Sequence, residues 1–215
     1  MTEVLTQGRG KGSPINASTR IYVVILGIFA GLGGILHGVY EILQGNKPPV
    51  DILLRIGAFT VVPNYLATGI CAAFLGICVI VWSTTRFHKN WGPTFYLVFS
   101  TILALVGGGI ALIPGSILAW AVSTRIRKPL SWWQRALSAR TRTVLSKLWL
   151  STMVIGFGLF TIGLGIWSIV LPPGEIREVT AMHYVCWSFL SLGTPFLVAA
   201  IICGFARDLK LGDMA

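Results

Sequence analysis

Four polar side chains stand inside or at the ends of long apolar runs of this sequence: His37, Glu41, Asn64 and His183. An ionisable group within an apolar span is costly to bury unless it has a partner or faces a water-filled cavity. His37 and Glu41 are four residues apart, so on a helix they share one face. Imidazole and carboxylate groups can bind a metal ion, carry a proton or contact a substrate, and two histidines can hold a haem. These four residues are therefore the candidate polar membrane site.

A purely structural interpretation of the same residues stays open. His37 and Glu41 could bond to each other or to Asn64, and Glu41 and His183 could reach interfacial water. A binding site requires the side chains to converge, which spacing alone does not determine. The sequence contains no nucleotide-binding loop, no metal motif of known spacing and no catalytic triad. No metal or cofactor is therefore identified, and a non-enzymatic role is favoured.

The elements that position these residues are apolar helices. The chain has 215 residues, 54% hydrophobic and only 11% charged, a composition that excludes an ordinary soluble domain. Four runs are long enough to cross a membrane as helices, at about 21–43, 65–82, 148–171 and 182–206. We predict an all-α polytopic membrane helix bundle, with one transmembrane domain at 21–206 and cytoplasmic polar tails at 1–20 and 207–215.

A fifth apolar stretch, residues 93–124, is too long for one crossing. As a continuous helix it would measure about 48 Å, against a hydrocarbon core of about 30 Å. We predict a hairpin that either spans twice or is re-entrant, which gives about six membrane segments. Its turn is expected at the residues that interrupt helices: Gly107, Gly108, Gly109, Pro114 and Gly115.

The distribution of positive charge supports the hairpin. With it, 14 Lys and Arg residues fall on one side of the membrane and three on the other, whereas a single pass would give 6 and 11. The positive-inside rule favours the first arrangement and places both termini in the cytoplasm. The 14 are Arg9, Lys11, Arg20, Arg86, Lys89, Arg125, Arg127, Lys128, Arg135, Arg140, Arg142, Lys147, Arg207 and Lys210; the three are Lys47, Arg55 and Arg177.

The basic segment after the hairpin is predicted to be an interfacial helix at 130–147, with a cytoplasmic helix packed on the bundle as the alternative. Ser131 and Gln134 fit a capping box, and apolar residues recur on one face. The net charge of +10 comes from basic residues in short connections, without the interleaved aromatic residues of a nucleic-acid-binding module. No nucleic acid is therefore expected as a partner. The expected partners are anionic lipid head groups of the inner leaflet, contacted by Arg127, Lys128, Arg135, Arg140 and Arg142.

Glycines predict close helix packing. Gly27, Gly31, Gly34 and Gly38 fall within about 60° of one another around the first span and form a smooth face. Two further glycine pairs, each seven residues apart, occur in the span at 148–171: Gly156 with Gly163, and Gly158 with Gly165. These faces suit contacts within the chain, with other membrane subunits or with a second copy.

Three strings carry a resemblance to known proteins: HGVYEILQGN at 37–46, VPNYLATG at 62–69, and VGGG at 106–109 with the downstream pair Trp132 and Trp133. The chain resembles, over most of its length, small multispanning prokaryotic membrane proteins that are themselves uncharacterised. The resemblance implies a prokaryotic cytoplasmic membrane as the setting. It carries no activity with it.

Three functional hypotheses follow. The first is an integral membrane protein without catalytic chemistry, an accessory or assembly subunit of a membrane complex, because packing signals outnumber chemical ones. The second is a small transporter or channel that uses Glu41 and His37, with the broken stretch at 107–115 lining its path. The third is a haem- or metal-binding membrane redox protein that uses His37, Glu41 and His183.

Overall fold

In the computed structural model, the described residues are 16–48, 61–109, 112–170 and 181–213, and their regular structure is helical. Their helices are α1 (Ala17–Gln44), α2 (Tyr65–Arg86), α3 (Gly92–Leu105), α4 (Leu112–Ser123), α5 (Ser131–Ala136), α6 (Ala139–Val170) and α7 (Ala181–Asp213). Four segments are long and apolar enough to cross a membrane: Ala17–Gln44, Tyr65–Arg86, Ala139–Ile166 and Tyr184–Asp213. These segments belong to the four helices that contain the four runs predicted from hydropathy. Residue 171, the last of the run at 148–171, lies outside the described residues.

Helices α3 and α4 form a hairpin. At the open end, the guanidinium of Arg127, after α4, donates to the side-chain oxygen of Asn90, before α3 (3.2 Å). The same end holds the start of α1, because the amide of Asn16 donates to the carbonyl of Ile126 (2.8 Å). The closed end of the hairpin lies beside Glu41, about 37 Å from Asn16 along α1 at 1.5 Å per residue. The chain therefore reverses direction between α3 and α4.

The turn occupies only part of the predicted set of residues. Gly107 and Gly109 have positive φ values of 94° and 91°, which glycine adopts without steric cost. Pro114 and Gly115 instead lie in the first turn of α4, where the missing N–H of proline removes no helical hydrogen bond. The prediction that these two residues help to form the turn is wrong for that reason.

The predicted interfacial helix at 130–147 is also different in the structure. Helix α5 ends at Ala136, and residues 139–147 form the beginning of α6. Ser138 produces the break, because its hydroxyl accepts a hydrogen bond from the amide of Thr141 (3.2 Å) in the manner of an N-cap. Ser131 is the first helical residue of α5, and Leu130 occupies the cap position without a side-chain hydrogen bond.

The glycine face of α1 packs on two neighbours. A Cβ added at Gly27 would lie 2.4 Å from Ser83, and one added at Gly31 would lie 2.5 Å from the carbonyl oxygen of Gly76. Gly38 meets Gly69 in the same way at 2.6 Å. The fourth glycine of this face, Gly34, lies against Leu103 of α3 instead. Small residues thus allow α1 to contact both α2 and the hairpin at backbone distance.

Helices α6 and α7 pair with each other and dock on the first half of α1. The hydroxyl of Tyr22 donates to the carbonyl of Leu197 in α7 (2.9 Å), and the ring of Phe157 in α6 lies 5.0 Å from that of Phe29. At the start of α1, the Asp208 carboxylate accepts hydrogen bonds from the backbone amides of the second and third helical residues, Ser18 and Thr19 (2.7 and 2.9 Å). It also accepts from the Thr19 hydroxyl (2.7 Å), so α7 caps α1.

Positive charge is concentrated at this same end of the bundle. Of the 14 cations predicted for one side, Arg9 and Lys11 lie outside the described residues. The other twelve lie in the connections at this end or in the helical turns next to them. Lys47 lies at the opposite end, where its carbonyl accepts from the amide of Tyr65 (3.1 Å). Arg55 and Arg177 are outside the described residues.

Candidate functional site

The structure brings the His37–Glu41 face of α1 against the glycine turn of the hairpin. A Cβ added at Gly107 would lie 2.4 Å from each carboxylate oxygen of Glu41. A Cβ added at Gly109 would lie 2.8 Å from Nε2 of His37. Each ionisable side chain is therefore covered by its own glycine. We call His37, Glu41, Gly107 and Gly109 the hairpin-tip site.

Glycine is required at Gly107 for two separate reasons. Its φ of 94° lies in a region that other residues adopt only with strain. The Glu41 carboxylate also occupies the space that a side chain at this position would need. Its oxygens would lie about 1 Å closer to an added Cβ than the shortest ordinary contact of 3.4 Å. The backbone at the tip can therefore approach the carboxylate because no side chain intervenes.

Glu41 is enclosed. Its side chain is 2% exposed, and neither carboxylate oxygen has a hydrogen-bond partner among the described residues. The hydroxyl of Thr68 in α2 is a polar neighbour of the carboxylate, and it donates to the carbonyl of Tyr65 (3.1 Å). Burial of an unpaired charge costs roughly several kcal/mol of folding free energy. A carboxylate in such surroundings is therefore stable only when a proton or a cation neutralises its charge.

Asn64 is used elsewhere. Its side-chain oxygen caps α2 by accepting from the amide of Ala67 (3.1 Å), and its side-chain nitrogen donates to Oδ1 of Asn46. This pair joins the end of α1 to the start of α2, one helical turn beyond Thr68. Of the four predicted polar residues, His37 and Glu41 are thus brought together, and Asn64 has a structural role beside them.

The fourth predicted residue, His183, lies in the first turn of α7, and its side chain is outside the described part of the structure. Among the residues that are described, no group of three or more His, Cys, Asp and Glu side chains is arranged to hold a metal ion. His37 and Glu41 supply one nitrogen ligand and one carboxylate.

Thr68 and the contact between α1 and the hairpin were not predicted. A hydroxyl one turn inside the Asn64 cap of an apolar helix is a weak signal that could have drawn attention to Thr68. Nothing in the spacing of residues 37–41 and 107–109 indicates that they touch, because more than sixty residues separate them along the chain.

Over the residues that the structure describes, the regular structure is helical, and four helices are long and apolar enough to cross a membrane. A comparison with protein-family models, curated proteins and solved structures finds no match to this chain.

Proposed function

We propose that this chain is an integral membrane protein in which the hairpin-tip site binds and releases a proton or a small cation, as in a small transporter or channel. The observation that carries the proposal is the Glu41 carboxyl group, which is 2% exposed and has two oxygens without a hydrogen-bond partner in the described structure. Ionisable groups inside membrane proteins commonly mark ion and proton pathways.

The hairpin turn supplies the element that could expose Glu41. It is non-helical backbone whose Gly107 and Gly109 lie against α1, and the flanking Leu103 and Leu112 pack on Gly34 and Gly33 of α1. Displacement of Gly107 away from the carboxylate would open it to solvent. The charged form of Glu41 is favoured only when the tip is open and the carboxylate is hydrated. Binding or loss of a proton or cation at Glu41 can therefore shift the equilibrium between the closed and the open tip.

A flux measurement tests the proposal. Purified full-length protein is placed in liposomes containing a pH-sensitive dye, and proton, sodium and potassium fluxes are measured for the parent, Glu41→Gln and Asp213→Asn. We expect the parent to conduct or exchange at least one of these ions and Glu41→Gln to lose at least about tenfold, as the amide cannot carry the charge. Asp213→Asn is a matched control because its carboxylate is 52% exposed. Parent liposomes no leakier than empty ones, or full flux in Glu41→Gln, would overturn the proposal.

The accessory-subunit hypothesis keeps one specific observation in its favour. In α6, Gly156 and Gly163 pack on α7, whereas added Cβ atoms at Gly158 and Gly165 would meet nothing within 4 Å. This second glycine pair faces outward, seven residues apart, and suits close approach by another helix. The test is co-purification in mild detergent with Gly158→Leu and Gly165→Leu. Loss of a stable partner or self-complex in these variants, but not in Gly212→Leu, supports it, and a parent that purifies as a lone monomer rejects it.

We also propose the setting and orientation of the chain: a prokaryotic cytoplasmic membrane, six membrane segments including both arms of the hairpin, and both termini in the cytoplasm. The support is the segregation of cations at one end of the bundle and a hairpin tip that lies about 37 Å from the start of α1, comparable with the thickness of a bilayer core. In a background without native cysteines, Arg140→Cys should be labelled only from the inside and Lys47→Cys only from the outside. The reverse pattern would reject this orientation.

A further inference from the structure

A groove of about 380 Å³ runs between the first turns of α1 and the last turns of α2. Apolar atoms dominate its lining, and the charged member of the lining is Arg20. The two helices come into backbone-close contact just beyond it, where Gly27 meets Ser83. The lining is therefore apolar except for Thr84 and for Arg20, which lies between Ala17 and Ile21 along α1. Its lining residues are Ala17, Arg20, Ile21, Val24, Ile25 and Thr84.

Further cations lie near the end of α2 and in the connection that follows it. Arg86 is the last residue of α2, and Lys89 lies in the connection from α2 to α3. The Arg127 guanidinium reaches the same connection through Asn90 (3.2 Å). These cations also act on His88. Its pKa is lowered first by burial and then by the positive charges of Arg20, Lys89, Arg127 and Arg86.

The described carboxylates lie away from the groove or are engaged elsewhere. Asp208 accepts hydrogen bonds from the start of α1, Asp213 pairs with Arg142 (2.7 Å), and Glu41 lies at the far end of α1. An anionic head group would match the positive charge of Arg20, Arg86 and Lys89.

We propose that this groove binds an anionic phospholipid, with its phosphate at Arg20 and the surrounding cations and one acyl chain along Ile21, Val24 and Ile25. Charge complementarity selects an anionic head group, and the apolar lining selects a hydrocarbon chain attached to it. A free phosphate ion would use the cations and leave the apolar floor uncovered. The site is independent of the hairpin-tip site, which lies at the opposite end of α1.

The position of the groove suits a lipid in the leaflet next to the basic end of the bundle. Beyond Arg20, its apolar part runs along α1 from Ile21 to Ile25, about 6 Å at 1.5 Å per residue. A phosphate at Arg20 therefore places the first part of an acyl chain on these residues. Diffuse attraction between a basic surface and anionic lipids requires no apolar contact of this kind.

The experiment uses the full-length chain in neutral detergent micelles. Native mass spectrometry counts bound lipid during titration with phosphatidylglycerol or phosphatidylcholine of identical acyl chains, and inorganic phosphate is the third probe. The variants are Arg20→Gln, Thr84→Trp, which fills the mouth of the groove without changing charge, and Lys147→Gln, which removes an exposed cation of α6.

We expect the parent to prefer phosphatidylglycerol, Arg20→Gln to weaken its binding about fivefold, and Thr84→Trp to weaken it at least as much. Lys147→Gln should bind like the parent, and inorganic phosphate should not displace the lipid. Equal losses in Arg20→Gln and Lys147→Gln, no loss in Thr84→Trp, or displacement by inorganic phosphate would each overturn the proposal. If Arg20→Gln elutes as an aggregate, Thr84→Trp against Lys147→Gln decides.

Discussion

Replacing Gly107 by alanine tests the structure of the hairpin tip most directly. The substitution introduces two costs. The first is backbone strain at φ 94°, on the order of 1–3 kcal/mol for a residue held in a sparsely populated region. The second is overlap of the new methyl group with the Glu41 carboxylate, whose oxygens lie 2.4 Å from that position.

The size of the second cost depends on how easily Glu41 can move. A carboxylate is the far end of a flexible side chain and would shift readily on an open surface. Here the side chain is 2% exposed, so displacement requires its surroundings to repack. Overpacking of this kind costs about 1–3 kcal/mol, and the two terms together lower the free energy of unfolding by roughly 2–6 kcal/mol.

The assay is unfolding in mixed micelles by titration with SDS, followed by tryptophan fluorescence. Gly45→Ala is the matched control, since Gly45 also has a positive φ (78°) but an added Cβ would meet nothing within 4 Å. A double-mutant cycle then isolates the overlap: in a Glu41→Ala background, Gly107→Ala should cost only as much as Gly45→Ala.

Two results would refute this reasoning. If Gly107→Ala costs no more than Gly45→Ala in the parent, the carboxylate does not occupy the space beside Gly107. If its cost is the same with and without the Glu41 side chain, the strain is entirely in the backbone and the tip does not rest on Glu41.

The remaining predictions concern three contacts elsewhere in the bundle. Asp208→Ala should lower the free energy of unfolding by about 2–5 kcal/mol, because two buried amides and a hydroxyl lose a charged acceptor; Asp213→Asn, at an exposed ion pair, should change it by about 0–1 kcal/mol. Tyr22→Phe should cost about 0.5–1.5 kcal/mol for the hydroxyl that bonds to α7. For His88, burial and neighbouring cations hold the pKa below its ordinary value, so the unfolded chain takes up a proton that the folded protein does not. Stability should therefore fall as the pH drops below about 6.5 and level off below the folded pKa.

Each of these has a contrary outcome. Equal losses in Asp208→Ala and Asp213→Asn, both measured by SDS titration, would mean that α7 does not cap α1. An unchanged midpoint in Tyr22→Phe would remove the bond between α1 and α7. For the histidine, thermal unfolding of the parent and His88→Gln is compared between pH 7.5 and 5, and identical pH dependence would show that His88 does not contribute.

Much of the architecture was readable from the chain because it depends on local and linear properties. Lengths of apolar runs locate the long helices, and glycines at 107–109 locate the reversal of the hairpin. The distribution of Lys and Arg, which favoured a hairpin at 93–124, agrees with a fold that gathers twelve of the thirteen described cations at one end and leaves Lys47 at the other. The predicted helix at 130–147 failed because an amphipathic stripe continues through Ser138, whose side chain nevertheless starts a new helix.

The candidate site shows where sequence reasoning stops. The residue types identify His37 and Glu41 as unusual in an apolar helix, and helical spacing places them on one face. That Gly107 and Gly109 cover them, that Asn64 caps a helix instead of joining them, and that Asp208 caps α1 are all contacts between distant segments. Such contacts depend on how helices cross and which side chains leave room, so only the tertiary structure could determine them.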